Sequence, residues 1–131
     1  MTRFLFDIEI YQNLFYLAIK DVDTLVLKEY EVSDFKDDRS ELFKFLENLE
    51  KSKNKNYAIS FNGVHYDMCV LGYIYDNRYL LSTYPVNLFT QNCKRTSDEI
   101  INENEHYRKY KYSFRNKNLI QIDLYLYWAR L

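Results

Sequence analysis

Three stretches of β-forming residues, Arg3–Ile10, Leu14–Lys20 and Thr24–Tyr30, follow one another with only Tyr11-Gln12-Asn13 and Asp21-Val22-Asp23 between them. Connections this short turn a strand back beside its predecessor, whereas a parallel neighbour needs a crossover of a dozen residues or more. The chain is therefore expected to begin as an antiparallel meander. In the first strand Phe4, Phe6, Ile8 and Ile10 alternate with Leu5, Asp7 and Glu9. Both faces read as largely apolar, which predicts a central strand covered on both sides.

The period then changes. Phe35, Leu42, Phe43, Leu46 and Leu49 fall at helical spacing and predict a helix from Ser33-Asp34 to Glu50. A polar exit follows, then a short apolar strand at Tyr57–Phe61, a break at Asn62-Gly63 and a second helix over Asp67–Tyr79. The signal weakens from Leu80 to Asn118, where Thr96–Tyr107 is polar and compatible with a helix. Lys109–Asn118 is basic and aromatic. A solvated surface segment explains it more simply than a strip against a nucleic-acid backbone. Leu119–Leu124 is a last apolar strand, and Tyr125–Leu131 begins another helix. No repeat, linker or domain boundary interrupts the chain. A strand–helix–strand unit after a meander predicts a single α/β domain over residues 1–131, with a mixed sheet and helices on both faces. Arg3–Ile10 should lie in its centre, between Leu14–Lys20 and Tyr57–Phe61.

Composition narrows the function classes. A chain of 131 residues can bury one core without staples, and 47% hydrophobic content excludes a disordered chain. The 14 Tyr accompany abundant Lys, Asn, Ile and Phe and only 2 Gly and 1 Pro. Codon bias towards A and T, with core packing, explains them more simply than base stacking does. A net charge of −1 argues against a sequence-independent grip on duplex DNA, although an enzyme that holds a few nucleotides through metal ions needs no basic excess. Cys69 and Cys93 have no ligand-like spacing and read as free buried thiols, which suits a reducing cytoplasm. No apolar run reaches the ~18 residues of a membrane span. Asp7 and Glu9 interrupt the apolar start too early for a signal peptide.

Two places carry candidate chemistry. Asp7 and Glu9 lie two apart on one strand, so both carboxylates share a face at about 7 Å. An exposed strand face would account for them. So would a divalent cation, and oxygen-only ligation favours Mg²⁺ or Mn²⁺ over zinc. The second place is Ser60-Phe61-Asn62-Gly63-Val64-His65-Tyr66-Asp67, where a short strand runs into a helix. Asp67 alone could be a helix cap or first-turn acid. In a mixed sheet, however, the crossover strand can lie beside the first strand, and the start of its helix would then meet Asp7 and Glu9. His65 and His106 have no Ser or Cys partner arranged for nucleophilic catalysis.

Phe6-Asp7-Ile8-Glu9-Ile10 resembles the first exonuclease motif of family B DNA polymerases, and Phe61-Asn62-Gly63-Val64-His65-Tyr66-Asp67 resembles the second. Ile120-Gln121-Ile122-Asp123-Leu124-Tyr125 is similar to the strand before the third. The phage-type members are the most similar, and the resemblance spans nearly the whole chain. It implies a ribonuclease-H-like fold and a proofreading 3′→5′ exonuclease acting on single-stranded DNA 3′ ends. It further implies that Asp7, Glu9 and Asp67 bind two Mg²⁺ or Mn²⁺ ions, that Asn62 hydrogen-bonds the 3′ end, and that Tyr66 packs beneath the site. The family's third motif, a Tyr or His three residues before a fourth acid, has no counterpart after Leu119. Asp123 is the only late acid, at a position that is structural in the family. The expectation is a weak or inactive domain, as a fragment, a truncated product or one half of a split polymerase. A non-catalytic module that docks to the rest of a replication protein is the rival.

Overall fold

The computed structural model describes residues 1–61, 63, 66–103 and 114–128. Its elements are β1 (Thr2–Tyr11), β2 (Leu14–Asp21), β3 (Leu27–Ser33), α1 (Arg39–Lys51), β4 (Asn56–Ser60), α2 (Asp67–Asp76), α3 (Arg78–Leu81), α4 (Val86–Asn102), β5 (Leu119–Asp123) and α5 (Leu124–Trp128). The five strands form one mixed sheet in the order β3-β2-β1-β4-β5. β3, β2 and β1 are antiparallel, and β4 and β5 add to β1 in parallel. The expected α/β class and the central place of β1, between β2 and β4, are both observed.

Alternation decides which face becomes the core. Phe4, Phe6 and Ile8 of β1 are buried, as are Phe15, Leu17 and Ile19 of β2 and Tyr30 and Val32 of β3. Helices α1, α2 and α4 pack on this face and on one another. Leu42, Leu46 and Leu49 of α1 are buried, and Phe45 meets Phe4 and Tyr30. Phe89 of α4 meets Phe15 edge-on at 6.0 Å. Burying a large apolar side chain contributes roughly 1.5–3 kcal/mol, so this single cluster supplies most of the driving force for folding. Cys69 and Cys93 are buried within it.

Helices on both faces were expected, but the three long helices share one. The opposite face carries Leu5, Asp7 and Glu9, all exposed, so β1 is central without being covered twice. The strand reads as apolar on both faces because Leu5 sits among the carboxylates, and Leu5 remains 43% exposed.

Several boundaries also move: β3 ends at Ser33 rather than Tyr30, and α2 ends at Asp76 rather than Tyr79. β3 starts at Leu27 rather than Thr24, because the Asp21 carboxylate accepts the N–H groups of Asp23 and Thr24 and holds a wider turn. Leu25 takes a left-handed backbone there (φ 62°). α1 starts at Arg39 rather than Ser33-Asp34. Ser33 N–H donates to the Lys36 carbonyl and Glu31 N–H to the Asp38 carboxylate, so the chain folds back on β3 first and leaves Phe35 96% exposed. Among the described residues no helix is long and apolar enough to cross a membrane.

Candidate functional site

β1 runs past the end of β4. The two pair from Thr2 with Asn56 to Leu5 with Ile59, and β4 ends at Ser60. The connection from β4 to α2 therefore arrives beside the stretch of β1 that carries Asp7 and Glu9, which is paired with β2 but not with β4. Gly63 makes this approach possible. A Cβ there would stand 2.0 Å from Ser60 Oγ, 2.6 Å from Ser60 Cβ and 3.1 Å from the Phe6 ring. The glycine supplies room here rather than a left-handed backbone, since it has no positive φ.

The chain then places Tyr66 as the residue before α2 and Asp67 in its first turn. Tyr66 is half-buried against the core, and its hydroxyl lies 2.6 Å from Ser97 Oγ on α4. Ser97 is itself buried, so the bond ties the start of α2 to α4.

Asp67 is 6% exposed. Burial and the negative charge of Asp7 push its carboxyl up to about 7, with a smaller push from Glu9. The backbone N–H groups of Ile8 and of Asp67 itself hydrogen-bond the carboxylate and act in the opposite direction. The first-turn position on α2 also favours an anion, but burial outweighs it. Asp7 and Glu9, by contrast, are exposed on the free sheet face and cost little as charges. The fold brings Asp67 within the electrostatic reach of both. Among the described residues no group of three His, Cys, Asp or Glu stands close enough, as placed, to hold a metal ion.

Asn62 and His65 of the second motif lie outside the described residues, as do His106 and the first half of Lys109–Asn118. Asp123 is buried at the end of β5, paired across to Ser60, and its carboxylate accepts the Tyr125 N–H at the start of α5. With β4 between β5 and β1, its strand lies about 10 Å from β1, which suits a cap better than a ligand beside Asp7.

Sequence reasoning missed Ser97 and the Ile8 N–H, and gave Ser60 no role of its own. Ser97 carried a faint signal: it falls one turn after Cys93 and three residues before Ile100, both buried in α4. No protein family, curated protein or solved structure matches the chain.

Proposed function

We propose that this chain is a metal-dependent 3′→5′ exonuclease-type domain of the family B DNA polymerase kind, ribonuclease-H-like in fold, acting on single-stranded DNA 3′ ends. One observation carries the reading. Asp67 is buried in the field of Asp7 and Glu9, and the charges acting on it are both negative. Such a cluster needs a proton or a cation to hold it together. Its donors are all carboxylate oxygens, a set that suits Mg²⁺ or Mn²⁺. Asp7, Glu9 and Asp67 would hold the ions, which when bound supply an activated water and charge stabilisation of the leaving 3′ oxygen.

The chain's own residues have separate tasks. The Ile8 N–H holds the Asp67 carboxylate against β1. Tyr66, anchored on Ser97, fixes the helix that presents it. Asn62 would hydrogen-bond the terminal nucleotide. Three carboxylates hold one ion well and a second loosely, so these 131 residues alone are expected to act slowly or not at all.

A gel assay on 5′-labelled single-stranded oligonucleotide in Mn²⁺ tests this. Shortening from the 3′ end should be slow or absent with the chain alone. It should rise when a C-terminal segment carrying Tyr-x-x-x-Asp is joined, and vanish again in Asp67→Ala. No gain with the segment, or digestion that survives Asp67→Ala, contradicts the assignment.

The second reading is a non-catalytic docking module of a split replication protein. It is favoured by the open sheet face, where Leu5 is exposed and Ile59, Ile120 and Ile122 are only half-buried. A chain that binds no Mn²⁺ yet associates with the remainder of a polymerase would favour this reading over the first.

A further inference from the structure

Strand register places a second pair of carboxylates on the face that carries Asp7 and Glu9. Asp7 lies opposite Ala18, and Ala18 opposite Glu29. Glu9 lies opposite Tyr16, and Tyr16 opposite Glu31. Paired residues share a face, so the four carboxylates stand at the corners of a rectangle about 7 Å along the strands and about 10 Å across them. Glu29 is exposed and Glu31 half-buried. Tyr16 donates its hydroxyl to Glu29, and Ser33 Oγ donates to Glu31 at 2.7 Å, so both acids are held in place. The cations on this face among the described residues stand around this group rather than inside it. Lys20 is opposite Leu5, one row from Asp7, Lys36 is opposite Ser33 at the sheet edge and pairs with Asp38, and Arg3 pairs with Asp23.

On the other side of Asp7 the described residues of β4 and β5 on this face carry no charge. Leu5, Ile59 and Ile122 form one row across β1, β4 and β5, and Tyr57 and Ile120 lie in the row next to it. The candidate site is thus bordered by anions towards β3 and by apolar surface towards β5.

We infer that Glu29 and Glu31 are specificity determinants that make the site select single-stranded over duplex DNA, an inference that rests on the function proposed above. Duplex DNA carries one charge per ~1.7 Å of axis, twice the density of one strand. With one strand's phosphate at Asp7 and Glu9, the other backbone lies a groove away, about 6 or 12 Å. On the β3 side it meets Glu29 and Glu31 at that distance. On the β5 side it meets Ile59, Ile120, Ile122 and the Tyr57 ring, side chains that carry no positive charge for a phosphate. A single strand avoids both penalties, because it can keep its backbone at the carboxylates and turn its bases onto the apolar rows.

The test is fluorescence anisotropy in Mn²⁺ with single-stranded and duplex oligonucleotides whose 3′ linkages resist hydrolysis. It compares wild type with Glu29→Gln/Glu31→Gln, in which glutamine oxygens still accept from Tyr16 and Ser33. Wild type should prefer the single strand. The variant should gain about ten-fold for duplex at low salt, change less than about two-fold for the single strand, and lose the duplex gain at high salt. Thermal melts confirm that both proteins are folded at the assay temperature. A wild type that prefers the single strand, with a variant whose two affinities stay put or move together, overturns the inference and leaves the proposed function standing. A folded wild type that binds neither oligonucleotide overturns both.

Discussion

Asp67 links fold and chemistry in one side chain. Its carboxyl sits at about 7 in the folded chain against an ordinary 3.8. The folded state therefore binds the proton more tightly than the unfolded state does between those values. That contribution to stability is complete below about pH 4 and is lost as pH rises through 7. At 1.36 kcal/mol per pKa unit the loss is on the order of a few kcal/mol. Urea unfolding of the metal-free protein should show a midpoint that falls between pH 5 and pH 8 in wild type and falls much less in Asp67→Asn. Added Mn²⁺ should raise the midpoint at pH 8 in wild type and not in that variant, because a ligand that binds only the folded state stabilises it. Parallel pH profiles in the two proteins would remove Asp67 from the account. The pairing of Asp7 with Glu9 was legible from the two-residue period alone, and Asp67 from its place at a strand–helix junction. The Ile8 N–H that holds it was not, because every residue carries such a donor and only the fold says which is left free.

At the scale of elements, the junction between β4 and α2 sets the site. Gly63 is packed against Ser60 and Phe6, so Gly63→Ala must push one of them away or shift the start of α2. The expected cost is about 1–3 kcal/mol of stability, with Mn²⁺ binding weakened as Asp67 moves. Ser60→Gly in the same chain should recover most of that loss, measured as a coupling in a double-mutant cycle of denaturation midpoints. Additive effects would mean that the crowding lies elsewhere. The sequence showed the meander and the β4–α2 order clearly, since short turns and a change of period leave few alternatives. It placed β3 three residues early, because side-chain hydrogen bonds from Asp21 widened a turn that composition suggested was tight. It missed most of α4, expecting at most a helix at Thr96–Tyr107. Buried Thr90, Asn92, Thr96 and Ser97 stand on its inner face, and polar residues there blur the helical pattern that Phe89, Cys93 and Ile100 carry.

At the scale of the molecule, the described layers are lopsided. Among the described residues three long helices pack on one side of the sheet, and on the other side Asp7 and Glu9 are exposed next to apolar rows on β4 and β5. An open face beside an acidic cluster suits a site that takes up both ions and a polymer. The same openness makes the apolar rows a place where a further segment or partner gains stability by covering them. Whether the carboxylates act together as a cation site is the claim on which this account turns. Titration calorimetry with Mn²⁺ addresses it directly, on wild type and on Asp7→Ala/Asp67→Ala, each shown by melting to be folded. The account predicts saturable binding in wild type that is strongly weakened in the double variant. Equal binding in both proteins would place any Mn²⁺ elsewhere and contradict it.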